Sequence, residues 1–180
     1  FKRGMDLYFE KYDGTATTIE AFYEGFEQAA GFDLSRFRVW YAQAGTPVIK
    51  VDRVSEAGSN GQRLRLTQTI APTPGQPYKK SVPVPLRITA FKPDGTEIDP
   101  QTGEIRTAES DDRQILLDPI TELDLSPDMD DAIVSVNRSF SAPVKIDQDL
   151  DTADRLKLAT LETDPFAKWE AIQTVARKQL

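Results

Sequence analysis

Aspartate residues supply most of the side chains in this sequence whose spacing suits chemistry. Asp147, Asp149 and Asp151 alternate as the first ligands of a calcium-binding loop do. Such a loop also needs glycine at its sixth position and glutamate at its twelfth, and Thr152 and Leu158 stand there instead. We therefore interpret the three aspartates as a polar approach to a helix, with Asp151 or Thr152 as its N-terminal cap.

The remaining acidic clusters favour solvated loops over ion sites. Asp128, Asp130 and Asp131 form a polar turn before an apolar stretch, and Asp111 and Asp112 form a charged loop. Carboxylates are plentiful, but no spacing singles out a pair for acid–base catalysis.

Two residue types that carry much of enzyme chemistry are missing from the sequence. The 180 residues include neither histidine nor cysteine, so they hold no imidazole base, thiolate nucleophile or thiolate metal site. Acidic residues outnumber basic ones, 29 to 22, and the formal charge of −7 argues against a nucleic-acid groove. An enzyme that uses only carboxylates, lysine, tyrosine or serine stays open as an alternative.

Other short motifs are interpreted structurally. The sequon Asn137-Arg138-Ser139 lies inside a predicted strand, and we interpret it as coincidental. The glycine-rich segment 58–61 lacks the lysine and helix of a phosphate loop and is predicted to be a hairpin tip.

Basic and aromatic side chains could each mark a binding face. Arg63, Arg65 and Arg87 are predicted to lie on the outward side of half-buried strands, where long side chains cover the sheet. Trp40 and Trp169 sit in amphipathic stripes and are predicted to be packing anchors rather than ligand-stacking rings.

The elements that carry these residues change from helix to strand and back. Residues 1–45 predict three helices, because apolar residues recur every three or four positions. The spacing of Thr17 and Glu20 predicts a capping box for the second helix. Gly31 is expected to end that helix, and Asp33 to begin the third.

Residues 46–146 alternate as strands do, with frequent turn signals. Pro83 and Pro85 mark the first half of one strand as an edge. The pattern predicts an α+β chain, in which an immunoglobulin-like antiparallel β-sandwich of about seven strands is flanked by N-terminal and C-terminal helices. The candidate strands are Val48–Val54, Gln62–Ile70, Val82–Ala90, Gln114–Asp118, Ile120–Leu125, Ala132–Phe140 and Ala142–Ile146.

Residues 147–180 are predicted to be helical again. Asp164 followed by Pro165 is an N-cap with a first-turn proline. An apolar stripe of Phe166, Trp169, Ile172 and Ala176 follows, and we expect the helices at either end of the chain to expose apolar stripes.

Four segments in order give the chain a family resemblance. They are Met5–Ala16, Trp40–Pro47, Phe140–Lys145 and Asp164–Ala171. Their succession resembles the bacterial aminopeptidase N family, the zinc-dependent alanyl aminopeptidases of the gluzincin group. Members of that family are much longer, so the chain is expected to be an interior fragment.

The resemblance implies a domain assignment and a role. Residues 1–45 correspond to the helical end of the catalytic domain, 46–146 to the small immunoglobulin-like domain, and 147–180 to the first helices of the C-terminal helical domain. Zinc is implied for the full-length parent, but its family ligands match no position here. No catalytic, cofactor-binding or metal residue is therefore assigned to this chain.

The expected partners are the neighbouring domains of the parent, with peptide substrate reached only through the full-length enzyme. Nucleic acid and membrane are not expected partners, and the absence of a signal pattern predicts a cytoplasmic location. The alternative is an independent immunoglobulin-like protein-binding module of a bacterial scaffold or adhesion protein.

Overall fold

A computed structural model describes residues 1–55, 61–107 and 110–178. The chain divides into two compact units, Phe1–Ala44 and a larger unit that begins at Gly45. Within the described ranges, no helix combines the length and apolar character that crossing a bilayer requires.

The first unit is helical, as the apolar periodicity predicts. Helix α1 spans Lys2–Tyr12 and α2 spans Ile19–Ala30. A 3₁₀ turn at Ser35–Arg38 leads directly into the short α3, Val39–Ala42. The third predicted helix is thus part 3₁₀ and part α.

Two glycines let α1 and α2 approach closely. A Cβ atom on Gly4 would lie 2.7 Å from the ring of Phe26, and one on Gly25 would lie 3.2 Å from the Gly4 carbonyl oxygen. Aromatic side chains fill the space on both sides of this crossing, and the rings of Phe22 and Phe26 are 4.6 Å apart. Packing rather than helix propensity therefore holds the pair together.

The ends of α2 confirm one predicted signal and correct another. Gly31 ends the helix at φ 74°, and its N–H donates to the Glu27 carbonyl, as expected for a left-handed cap. The N-cap residue is Thr18 rather than Thr17, and its side chain makes no capping hydrogen bond. The predicted capping box from Thr17 to Glu20 is therefore wrong by one residue.

The second unit is built around two four-stranded sheets. The first sheet has the order β6-β2-β1-β8, and β1 pairs antiparallel with β2 but parallel with β8. In the second sheet β3 is central, with β4 and β5 along one side and β7 along the other. The strands are β1 (Val48–Ser55), β2 (Gln62–Thr69), β3 (Val84–Phe91), β4 (Glu97–Ile98), β5 (Arg113–Leu117), β6 (Ile120–Asp124), β7 (Ile133–Val136) and β8 (Lys145–Gln148).

Alternating residues of both sheets face each other and form the core. In β2, Leu64 and Leu66 are buried, whereas Arg63 and Arg65 face outward as predicted. The inner face of β3 is equally dry. The residues it contributes are Val84, Leu86, Ile88 and Ala90.

The start of β3 confirms the edge predicted from its prolines. Along Val84–Arg87 the strand pairs only with β5, because β7 reaches no further than Ile88. Pro85 has no N–H to offer on the open side, and the Arg87 N–H donates to the Ser141 hydroxyl oxygen at 2.9 Å.

Two helices cover the other half of the second sheet. Helix α4 spans Thr152–Leu161 and α5 spans Pro165–Lys178. They pack on the outer side of β3 and β7 through one apolar cluster. Its buried members are Phe91, Ile133, Leu158, Ala159 and Ala171.

The structure corrects two expectations about this unit. The predicted strand Ala132–Phe140 ends at Val136, because Asn137, Ser139 and Phe140 all have positive φ angles. Trp169 is 53% exposed and is not a core anchor, since α5 packs instead through the small residues Ala167, Ala171 and Val175.

Candidate functional site

The most elaborate side-chain arrangement in the described residues is a cluster of ion pairs, which we call the ionic joint. It connects loops of the second sheet to the segment between α4 and α5. Its three cations and four anions are Arg106, Arg113, Arg138, Glu97, Asp99, Asp112 and Glu162.

Arg138 is the centre of the joint. Its side chain is 6% exposed, and its guanidinium lies 2.7 Å from Glu97 and 3.0 Å from Glu162, with a further short contact to Asp112. It also donates to the Thr163 hydroxyl oxygen at 2.6 Å. Burial alone would lower the pKa of Arg138, but the surrounding carboxylates hold it above its ordinary value.

Glu162 is the helical side of the joint. Its side chain is fully buried, yet every contact it makes is with a donor. One carboxylate oxygen accepts from the Ser135 hydroxyl of β7, and the other accepts from the Asp164 N–H at 2.8 Å. Together with Arg138 these donors satisfy a charge that would otherwise be very costly to bury.

Arg113 and Asp99 form a bidentate pair on the sheet side. The two guanidinium–carboxylate distances are 2.9 and 3.0 Å. Asp99 also accepts from the backbone N–H groups of Gln101 and Thr102. Burial would raise the pKa of Asp99, but these donors keep it below its ordinary value.

Arg106 lies among three carboxylates at longer range. Its side chain is 7% exposed and is 3.6 Å from Asp99 and 3.9 Å from both Glu97 and Asp112. It therefore supplies positive charge to the sheet side without a close hydrogen bond to any of the three.

A second connection lies beside the joint. One oxygen of Asp164 caps α5 by accepting from the Ala167 N–H at 2.9 Å, which confirms the predicted cap. The same carboxylate accepts from the backbone N–H of Ser139 at 3.0 Å and from its hydroxyl at 2.9 Å. Burial opposes ionisation, but these hydrogen bonds hold the pKa of Asp164 below its ordinary value.

This geometry fits mechanical work better than catalysis. The joint's acidic groups are engaged by arginines or backbone donors, which leaves none poised to exchange a proton near neutral pH. Within the described residues, no three carboxylates are arranged to hold a metal ion. What the arrangement does is fix the helices against the sheet.

The fold and its joint can now be compared with known proteins. Residues 45–149 match a family described as a domain of unknown function (DUF3458) with an Ig-like fold. The chain belongs to the DUF3458 family. This match covers every strand of the sandwich and confirms the α+β, immunoglobulin-like fold class.

Relatives of this DUF3458 chain also match the flanking helices. Aminopeptidase N of Caulobacter vibrioides is 41% identical over 98% of the chain, and that of Haemophilus influenzae is 31% identical over 100%. Aminopeptidase N of Escherichia coli is 28% identical over 97%. The chain spans only about a fifth of their length, 19% or 20% of each. The resemblance to bacterial aminopeptidase N is confirmed.

A solved structure supports the same architecture. Aminopeptidase A of Legionella pneumophila, crystallised in complex with aspartic acid, superposes with a TM-score of 0.74 at 23% identity. The match covers 96% of the DUF3458 chain and 18% of the solved chain. At this identity it speaks for the fold alone.

The acidic residues singled out in the sequence have separate fates. Asp151 caps α4 by accepting from the Asp154 N–H at 2.7 Å, as predicted. Asp112 was interpreted as part of a charged loop, but it belongs to the joint. The interpretation of Asp112 is therefore wrong, and the reason is a partner far along the chain.

The sequon lies in a place that no glycan could reach. Asn137 is fully buried, and its side-chain oxygen accepts from the Ala142 N–H at 2.9 Å. Asn137 does not lie in a strand, since it begins the turn that follows β7. The interpretation of the motif as coincidental fits this position.

Two other predictions concern exposed strand faces. Arg63 pairs across the sheet with Asp124 at 2.8 Å, and Arg65 pairs with Glu122 at 2.6 Å, so both cover the sheet as expected. Arg87 is also exposed on its strand. Most of the predicted hairpin tip at 58–61 lies outside the described residues.

Most of the joint was missed by sequence reasoning. Glu97, Arg106, Arg113 and Glu162 carry no motif, and their partners are distant in the sequence. One signal was available for Arg138, because a cation on the apolar face of a predicted strand needs a buried partner or a break in the strand.

Proposed function

We propose that this chain is a non-catalytic structural segment of a zinc-dependent aminopeptidase N that removes N-terminal residues from peptides. The β-sandwich acts as a spacer between the catalytic domain and the C-terminal helical domain. The neighbouring domains of the parent chain are its partners. The support for the enzyme class is the identity to three aminopeptidases N over nearly the whole chain.

The observation that carries the spacer role is the ionic joint. Seven charged groups and one apolar cluster hold α4 and α5 on the sandwich, and both belong to one compact unit. A spacer must transmit orientation, and a buried, geometrically specific network fixes orientation better than an apolar contact alone.

The residues present do not fit the zinc of the parent. The chain has no histidine or cysteine, and zinc sites with catalytic roles are usually built with histidine. The metal and its chemistry would therefore come from parts of the parent outside this chain.

Exposed apolar surface on α5 supports the proposed partners. Trp169 and Ile172 are 53% and 49% exposed on one side of the helix. The ring of Phe166 lies 6.1 Å from that of Trp169 and extends the same surface. A surface of this kind favours contact with another domain.

The first experiment measures the mass of the native gene product that contains this sequence. A mass about five times that of the chain supports the proposal, as the share of the relatives covered implies. A product close to 20.1 kDa contradicts it and favours an independent module.

The second experiment tests the division of labour. The isolated chain, freed of contaminating metal, is incubated with alanyl p-nitroanilide and zinc. We expect no hydrolysis from the chain and hydrolysis from the native gene product. Turnover by the chain alone would show that it carries catalytic groups of its own.

A third experiment addresses the spacer. In the native gene product, Arg138→Met is expected to lower kcat/KM for alanyl p-nitroanilide, because the catalytic and helical domains lose their fixed angle. Arg63→Met, which removes an exposed ion pair, is the matched control and should leave activity unchanged.

A further inference from the structure

The connection between β2 and β3 is an ordered loop that presents one aromatic side chain to solvent. Thr73 and Gln76 close its tip through two backbone hydrogen bonds of 2.9 and 3.2 Å. Gly75 permits this turn with φ 76°. Pro74 and Pro77 each fix one further backbone angle.

Side chains hold both the tip and the base of this loop. The Lys79 ammonium donates to the Thr73 hydroxyl oxygen at 2.6 Å and to the Gln76 side-chain oxygen at 2.9 Å. At the base, the buried Gln68 amide pairs with the Val82 backbone in the manner of a neighbouring strand, at 2.7 and 2.8 Å. The loop therefore keeps its shape without help from its exposed residues.

Tyr78 takes no part in holding this loop. It follows Pro77 and is 92% exposed, so its ring adds almost nothing to the stability of the fold. A rigid loop that displays a tyrosine supplies contact area at low entropic cost, which is the property of anchor residues in protein interfaces.

The charge around Tyr78 indicates the partner. No aspartate or glutamate stands between Glu56 and Asp94, while that stretch contains six lysines and arginines. The chain as a whole carries a formal charge of −7, so this segment is a basic island in an acidic protein. Lys79 and Lys80 directly follow the tyrosine, and Lys80 is exposed.

We propose that the Tyr78 loop, residues 72–81, is a docking surface for an acidic protein segment. The tyrosine ring packs on apolar side chains of the partner, and the lysines face its carboxylates. The net negative charge of the chain disfavours nucleic acid as the partner. The proposal is independent of the aminopeptidase assignment.

The test is an NMR titration of the ¹⁵N-labelled chain with the capped peptide Glu-Glu-Leu-Glu-Glu-Leu. We expect saturable shifts confined to the amides of the Tyr78 loop, with a dissociation constant on the order of 1 mM. Binding should weaken about tenfold in Tyr78→Ala and also in 0.5 M salt. Tyr41→Ala removes another exposed tyrosine and serves as the control, with binding unchanged.

Four outcomes would overturn the proposal. They are no saturable shift at 5 mM peptide, equal shifts at lysines elsewhere on the chain, unchanged binding in Tyr78→Ala, and equal binding of a 12-base-pair DNA duplex. Sedimentation of the free chain covers self-association. A dimer that is lost in Tyr78→Ala would assign the loop to a second copy of the chain instead.

Discussion

Replacing Arg138 with methionine tests the ionic joint most directly. The substitution keeps much of the side-chain volume but removes the guanidinium that contacts Glu97, Asp112 and Glu162. The Glu162 side chain is fully buried, so its charge would stay in a dry site with fewer donors. Removing one partner of a buried ion pair costs about 3–5 kcal/mol.

The remaining contacts set the value within that range. Glu162 keeps the Ser135 hydroxyl and the Asp164 N–H as donors, and methionine restores part of the packing. We therefore expect Arg138→Met to lower the free energy of unfolding by about 3 kcal/mol. With a urea dependence of about 2 kcal/mol per molar, the midpoint should fall by about 1.5 M.

The assay is urea unfolding followed by tryptophan fluorescence. The sequence has two tryptophans, so a Trp40→Phe background leaves Trp169 of α5 as the only reporter. Arg63→Met is the control, because its pair with Asp124 is exposed and should contribute less than about 1 kcal/mol. The reasoning is refuted if Arg138→Met changes the unfolding free energy no more than Arg63→Met does.

Three further substitutions test other contacts. Gly25→Ala should destabilise the first unit in a thermal melt followed by circular dichroism, despite the better helix propensity of alanine, because the new Cβ would lie 3.2 Å from Tyr8; a higher melting temperature would contradict the close crossing. The low pKa of Asp164 means that its carboxylate stabilises the fold above the unfolded pKa of about 3.9, and that this contribution is lost as pH falls through the lower folded pKa. Asp164→Asn should therefore flatten the acid unfolding curve recorded by Trp169 fluorescence, whereas an unchanged curve would exclude Asp164 as a source of acid sensitivity. Burial raises the pKa of Glu170, so Glu170→Gln should raise the melting temperature at pH 7 but not below about pH 4, where both forms are neutral; an equal gain at both pH values would point to packing instead.

Local patterns predicted the parts of the fold that local physics decides. The alternation in β2 placed Leu64 and Leu66 inward, and the prolines marked the open half of β3. Asp151 and Asp164 cap helices where their spacing indicated. Each of these outcomes depends on groups within a few residues of one another.

Periodicity could not decide which of two stripes on α5 faces the sheet. The aromatic stripe with Trp169 is the more apolar of the two and was predicted to pack. The structure buries Ala167 and Ala171 instead, because small side chains let the helix lie close to Phe91 and Ile133. Only the shape of the facing sheet determines that choice.

The ionic joint depends on contacts that no local pattern contains, yet one of its members explains a local failure. In the pairing of β7 with β3, Val136 lies opposite Ile88 on the core face. Continuing the strand by two residues would place Arg138 opposite Leu86, with its guanidinium in the apolar core. A charge cannot be buried there without partners.

Asn137 avoids this placement by taking a left-handed conformation, with φ 64°, that ends the alternation. Ser139 and Phe140 follow at φ 56° and 49°, which costs each of them on the order of 1 kcal/mol or more. The contacts that offset this cost come from α4 and α5, through Glu162 to Arg138 and through Asp164 to Ser139. The turn is therefore stable only while the helices are docked, and the helices are fixed only while the turn is formed. The sandwich and the two helices should accordingly unfold in one cooperative step, which is the behaviour required of a spacer that transmits orientation.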